Sequence, residues 1–229
     1  MNNKPLVSVI IIVKNGERFL RQAIDSVLAQ NYTLREIIVV DGQSEDKTAE
    51  IAQSFEQVSY IRQTNKGVAD AYNLGIEVAT GDLIAFLSHD DLWLPHKLNR
   101  QVDQMQRQPH IQYTVTKIKF FLEPGCAIPA GFKPELLEGG HVGRIMETLV
   151  ARKSLFNWVG KFDDAYSIAN DVDWYARVKD QNIPMAVIPE VLVHKRIHDK
   201  NTAADAQANN QQLLQILRRS LHRKRSQND

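Results

Sequence analysis

The stretch Asp82-Leu83-Ile84-Ala85-Phe86-Leu87-Ser88-His89-Asp90-Asp91 decides the fold. Its first part is an apolar run without polar alternation, the pattern of a strand covered on both faces in the middle of an α/β sheet. Its second part ends in two adjacent carboxylates, Asp90 and Asp91, just past the C-terminal end of that strand. Open α/β sheets bind their ligands at that edge. Trp93 and Pro95 follow, and Pro95 suits the first turn of a helix. A single aspartate here is accounted for as a helix cap. Two side by side repel each other, and a cation relieves the repulsion.

Upstream, Leu6 to Val13 reads as a buried first strand ending at Lys14-Asn15-Gly16-Glu17. Phe19, Leu20, Ala23, Ile24, Val27 and Leu28 mark one face of a helix. Glu36 to Val40 is a second strand ending at Asp41, followed by a helix to about Ser54 with Ser44 as its N-cap. Val58 to Arg62 is a short third strand. After the turn Asn65-Lys66-Gly67 a helix runs to about Ala79, with Gly81 placed for a left-handed stop. Four strands alternating with three helices imply parallel neighbours joined by right-handed crossovers. The loops after the first, second and fourth strands would then gather at one sheet edge. There is no G-x-G-x-x-G and no P-loop lysine motif, which disfavours a dinucleotide cofactor or a nucleoside triphosphatase.

Downstream, the spacing predicts a helix from Pro95 to about Gln106, a strand from Gln112 to Leu122 and a long loop from Glu123 to Gly140. Then come a strand over Arg144 to Ala151, a short helix over Lys153 to Trp158, and a helix over Asn170 to Lys179 opening at Asp171. Ile183 to Val193, interrupted by Pro184 and Pro189, reads as an edge strand. Ala203 to Arg225 is a polar helix with Leu214, Leu217 and Leu221 on one side. The 229 residues are 43% hydrophobic and 24% charged with net charge +1, an ordinary globular composition with no overall drive toward nucleic acid. Cys126 is the only cysteine, so no internal disulfide forms and a reducing, cytoplasmic setting is the simple expectation. The run from Leu6 to Val13 is too short for a signal-peptide core or a membrane span.

Several of these pieces, in order, resemble family 2 glycosyltransferases. They are Val7-Ser8-Val9-Ile10-Ile11-Ile12 with the Asn15-Gly16 turn, Ser26 to Gln30, and Val39-Val40-Asp41-Gly42-Gln43-Ser44-Glu45-Asp46-Lys47-Thr48. Lys66 to Asn73, the carboxylate stretch as a D-x-D region, Asn170-Asp171-Val172-Asp173-Trp174 and Arg196-Ile197-His198 complete the set, over residues 6 to about 202. The resemblance implies a GT-A fold: a Rossmann-like three-layer α/β/α sandwich with a mainly parallel central sheet. A single catalytic domain over residues 1–202 would have a nucleotide-sugar half to about residue 110 and an acceptor half beyond it. Residues 203–229 would form a basic helical tail.

The implied chemistry is transfer of a hexosyl group from a nucleoside-diphosphate sugar to the hydroxyl of a saccharide or lipid-linked acceptor, in cell-surface polysaccharide or glycolipid synthesis. Donor binding falls on Val13, Asn15, Glu17, Asp41, Lys66, Asp70, Asn73, His89 and Asp90. Mg²⁺ or Mn²⁺ falls on Asp90, Asp91 and His198, and the proton-accepting base on Asp171, with inversion at the anomeric carbon. Alone, Asp41 reads equally as a turn former, Asp171 as a helix cap and His198 as a surface histidine. Two positions depart from the family pattern. Ser88 stands where the first metal-site aspartate falls, and Asn170 where a glutamate precedes the base. A non-catalytic nucleotide-sugar binder would carry the same departures. Arg218-Arg219 and His222 to Arg225 read as a solvated helix end or as a peripheral contact with the anionic inner face of a membrane.

Overall fold

The computed structural model describes residues 4–129, 132–199 and 206–225. Among them one nine-stranded sheet carries the fold. β1 (Val7–Val13), β2 (Arg35–Asp41), β3 (Val58–Arg62) and β4 (Leu83–Ser88) are parallel and lie in the order β3-β2-β1-β4. β1 is central, and its alternate residues feed two cores. Val7, Val9, Ile11 and Val13 pack with α1 (Leu20–Leu28), α2 (Thr48–Gln53) and α4 (Lys97–Arg107). Ile10 packs on the other face with α3 (Val68–Val78), α5 (Lys153–Trp158) and α6 (Asn170–Asp180). Side chains alternate across a strand, so an unbroken apolar run is what a sheet with helices on both faces requires. Each fully buried branched side chain here contributes about 1.5–3 kcal/mol. Gly75 sets the approach of α3 to β1, since a Cβ there would lie 2.5 Å from Ile10 Cγ2.

The second half extends the same sheet as β8 (Val150–Arg152), β6 (Tyr113–Leu122), β9 (Met185–Ile197) and β5 (Leu92–Trp93), with β7 (His141–Val142) beside β6. Here antiparallel pairs alternate with the parallel pair β6–β9.

Several sequence expectations need correction. β9 is not an edge strand: it lies between β6 and β5, and the register skips from Thr116↔Ile188 to Lys117↔Val191, leaving Pro189 in the bulge. A bulge removes the need for the amide that proline lacks. β5, two residues long, is too short for periodicity to reveal. In the stretch 144–151 only Val150 and Ala151 belong to a strand, β8; Met146–Thr148 form a 3₁₀ turn before it. Ser44 does not cap α2; Asp46 Oδ1 accepts the Thr48 amide at 3.0 Å. Gly81 is not left-handed; its role is close approach, because a Cβ would sit 2.7 Å from the Leu6 carbonyl oxygen.

α7 (Ala206–Arg225) docks on α6 through a face other than the leucine stripe. Ile216, 4% exposed, packs with Tyr166 and Ala169, whereas Leu214, Leu217 and Leu221 are exposed. Gln212 Oε1 accepts the Ile168 and Ala169 amides, and buried Asp180 accepts from Ser220 Oγ at 2.7 Å and Arg223 Nε at 2.9 Å. Residues 203–205 and 226–229 of the expected tail lie outside the described residues.

Candidate active site

Parallel register brings the strand ends together: Val13 pairs with Asp41 and Ile12 with Ser88. The loops after β1 and β2 are laced by hydrogen bonds. The Asn15 amide donates to Ser44 Oγ at 2.7 Å, Asn15 Oδ1 accepts the Glu45 amide at 2.9 Å, and the Gly16 amide donates to Thr48 Oγ1 at 2.8 Å. Asn15 takes a left-handed φ of 51°, which asparagine tolerates. Gly16 lets the loop close on its neighbours, since a Cβ would lie 2.4 Å from Val13 Cγ2 and 2.7 Å from His89 Cδ2.

Two cavities open on this edge. One, of about 910 Å³, is lined by Asn15, Glu17, Asp46, His89, Asp90 and His198. The other, of about 390 Å³, is lined by Val13, Gln63, Lys66, Val68, Ser88 and again His89 and Asp90. Six of the expected donor-binding residues, Val13, Asn15, Glu17, Lys66, His89 and Asp90, therefore meet in one cleft. The other three do not line it. Asp41 is fully buried; Oδ1 accepts the Ser44 amide and hydroxyl, and Oδ2 accepts the Tyr60 hydroxyl at 2.7 Å. Asp70 is held by Gln63 at 2.7 Å and Asn65 at 3.1 Å. Asn73 exchanges two hydrogen bonds with the Phe162 backbone. These side chains brace the walls, and a direct bond from Asp41 to a ligand is not what this geometry offers.

The carboxylate pair separates. β5 follows it at once and pairs with β9, Leu92 with His194, which pins Asp90 and Asp91 against residues 194–198. Asp90 faces the cleft, with Oδ2 3.1 Å from His198 Nε2. Burial pushes its carboxyl up, but His89, Lys195 and the His198 hydrogen bond outweigh that and hold it below the usual carboxylate range. His89 is lowered chiefly by burial. Asp91 turns inward, fully buried, and takes Lys195 Nζ at 2.8 Å and the Arg196 amide at 2.9 Å. Of the expected metal set, Asp91 alone is turned away from the cleft: both its oxygens are taken inside the protein, and burial pushes its carboxyl up to about 7 against the pull of Lys195. Arg196 stacks on Phe19 and Phe121 and donates to the Asp90 carbonyl, which fixes that loop.

Asp90 and His198 are the two side chains that could share a cation. A carboxylate oxygen and an imidazole nitrogen beside a wide polar cavity suit a hydrated Mg²⁺ or Mn²⁺ that takes most of its ligands from phosphate and water. Among the described residues no group of three or more histidine, cysteine or acidic side chains forms a cage.

Sequence reasoning missed Glu147 and Lys195. Glu147 sits in the 3₁₀ turn, accepts the Ser88 hydroxyl at 2.6 Å and lies 3.3 Å from Lys195 Nζ. Burial raises the Glu147 carboxyl, but Lys195 and Ser88 prevail and hold it below its ordinary range. Burial opposes the charge on Lys195, and Asp91, Glu147 and Asp90 more than offset it, so the ammonium sits well above its ordinary range. A charged residue in the interior of β9 was the available signal. Both residues line a third cavity, of about 290 Å³, with Tyr72, Met146 and Asp171, and Val68 lines this cavity as well as the second. Asp171 lies in the first turn of α6 rather than at its cap, which is Ala169. Burial, with Glu147 adding, pushes its carboxyl up to about 6 against the Val172 amide hydrogen bond.

The profile of glycosyl transferase family 2 matches residues 8–128, more than half of the chain. The chain belongs to glycosyl transferase family 2. It is 31% identical to an uncharacterized glycosyltransferase of Rickettsia typhi over 88% of this chain and 67% of that protein. It is 36% identical to one of Haemophilus influenzae over 67% of this chain and 65% of that one. Among solved structures, the mannosyltransferase PcManGT of Pyrobaculum calidifontis, in complex with GDP-Man and Mn²⁺, superposes with a TM-score of 0.71 at 19% identity, covering 96% of this chain and 65% of its own. TarS of S. aureus in complex with UDP-GlcNAc gives 0.69 at 18% identity, covering 87% and 61%. The fold is the GT-A fold that the sequence resemblance implied. This family 2 chain spans about two thirds of the length of these relatives. The matched profile contains Asp41 and Asp90 but stops short of Asp171, Lys195 and His198. No helix among the described residues is long and apolar enough to cross a membrane.

Proposed function

We propose that the chain transfers a hexosyl group from a nucleoside-diphosphate sugar to an acceptor hydroxyl, with inversion, in polysaccharide or glycolipid synthesis. The observation that carries this reading is adjacency: the cleft bearing Asp90 shares Val68 with the cavity bearing Asp171, and Ser88 of the one bonds Glu147 of the other. Residues to about 110 supply the donor half and those from 111 to 202 the acceptor half. Asn15, Glu17, Lys66 and His89 line the donor cleft, and Asp41, Asp70 and Asn73 act on the donor through the loops they hold. Asp171 takes the proton from the acceptor hydroxyl as its oxygen forms the bond to the anomeric carbon and the bond to the diphosphate breaks. A carboxylate raised to about 6 remains largely ionised at neutral pH while being a stronger base than an ordinary aspartate. When bound at Asp90 and His198, Mg²⁺ or Mn²⁺ would offset charge on the departing diphosphate.

Ser88 and the absence of a three-ligand cage among the described residues favour one other reading, a nucleotide-sugar binder without turnover. Thermal-shift screening against UDP-, GDP- and dTDP-sugars, with and without Mn²⁺, tests the donor, and product formation separates enzyme from binder. No stabilisation by any of them sinks both. We further propose that α7, with its exposed leucines flanked by Arg218 and Arg225, rests on an anionic membrane face on the cytoplasmic side. Co-sedimentation with phosphatidylserine vesicles, lost at high salt, is the expected result; no co-sedimentation at low salt removes the contact.

A further inference from the structure

The third cavity has a polar pattern that the transfer reaction alone does not require. Glu147 Oε1 is used by Ser88 and Lys195, and among the described residues no other residue donates to Oε2. Lys195 spends two of its three N–H groups on Asp91 and Glu147, and its side chain keeps 29% exposure. Asp171 Oδ1 accepts the Val172 amide, and among the described residues no other residue donates to Oδ2. Besides Ser167 and Asn170, the cavity thus offers two carboxylate acceptors and one ammonium donor beside the apolar flanks of Tyr72 and Met146.

A hydroxyl group both donates and accepts, so neighbouring hydroxyls on a sugar ring match an acceptor–donor–acceptor set, while the C–H face of the ring suits the apolar flank. A phosphate or carboxylate ionised at neutral pH has few or no protons to donate. It would meet one ammonium already shared by Asp91 and Glu147, and one further negative charge, Asp171. The volume of about 290 Å³ is at the small end for ligand sites, suited to one ring rather than a lipid chain.

We propose that Glu147 and Lys195 are the acceptor-recognition pair, and that they select a neutral, hydroxyl-rich saccharide terminus and reject an acceptor whose reacting end is a phosphate. This rests on the transferase reading and names the substrate class of the same site. Lys195 also ties this selection to the donor side, because the same ammonium holds Asp91 beside Asp90.

The test is an acceptor panel with the wild-type chain and Glu147→Gln, using the donor found by thermal shift. The probes are methyl glucoside, galactoside and mannoside against glucose 6-phosphate, galactose 6-phosphate and a short polyprenyl phosphate. Wild type should use at least one neutral glycoside and discriminate against its phosphorylated counterpart. Glu147→Gln should raise the acceptor KM about ten- to a hundredfold through loss of a charged hydrogen bond, with a much smaller change in donor Kd by calorimetry on the same preparation. Wild-type preference for phosphorylated acceptors overturns the proposal without needing the variant to fold. So does a well-folded Glu147→Gln with unaltered acceptor KM. Donor binding with no transfer to any acceptor overturns the transferase reading and this proposal with it, whereas transfer with the wrong selectivity overturns only this one.

Discussion

Replacing Asp171 with asparagine separates chemistry from structure, because the shape is kept and the charge is lost. The carboxyl rises from 3.8 to about 6 on folding, chiefly by burial. A group titrating near 6 is about one-tenth ionised at pH 5, where an ordinary aspartate is more than about nine-tenths ionised. Wild-type kcat/KM for the acceptor should therefore fall about tenfold between pH 7 and pH 5, with its midpoint near 6. Asp171→Asn should lose about 10²–10⁴-fold at pH 7.5, the usual span for a general base.

Stability should move the other way. Because the folded pKa lies above the unfolded one, the folded state binds the proton more tightly. The native state is then favoured below pH 4, loses that advantage between about 4 and 6, and carries the full cost of the buried charge above 6. At 1.36 kcal/mol per pKa unit that cost is at most about 3 kcal/mol, and the partial exposure of the side chain brings it to the order of 1–2. Asp171→Asn should accordingly melt higher than wild type at pH 8 and about equally at pH 4. The assays are initial rates from pH 5 to 8.5 with one donor and acceptor, and thermal melts in the same buffers. Transfer by the asparagine variant within about threefold of wild type, only ~0.65 kcal/mol of barrier, would show that Asp171 is structural and that the base assignment is wrong.

Asp41→Ala should destabilise the fold by about 2–4 kcal/mol in urea titrations, since it strands the Ser44 and Tyr60 hydroxyls in a buried site, with donor affinity falling as a consequence; an unchanged midpoint contradicts the bracing role. Divalent metal should be needed at roughly millimolar concentration, because Asp91 is committed to Lys195 and few protein ligands remain; full activity after exhaustive chelation removes Asp90 and His198 from metal binding. Asp180→Asn should expose α7 to limited proteolysis by weakening the buried pairing with Arg223, whereas Leu217→Ala should shift stability by less than about 0.5 kcal/mol; the reverse order would mean that α7 docks through its leucine stripe.

The sequence by itself determined the parallel half of the sheet and its chemistry-bearing edge. Apolar runs such as Leu83 to Leu87 and Val9 to Val13 can be satisfied only between two helical layers, and the polar residues that end them must then fall at one edge. Ordered local motifs carried the family, because donor-side loops are short-range features read along the chain. Tertiary structure alone decided which carboxylates face the cleft. Asp90 and Asp91 are neighbours of identical chemistry, and their fates diverge because the two-residue strand β5 pairs with the distant strand β9, Leu92 with His194, and gives Asp91 an ammonium partner. The same long-range pairing brought Lys195 to Glu147 and Ser88, three residues with no shared local pattern. Asp41 reads as a ligand-facing turn residue until the packing of Tyr60 and Ser44 closes over it. Local periodicity reports which face of an element is apolar. It does not report which polar groups find partners from distant strands, and burial together with those partners sets the charge of each site.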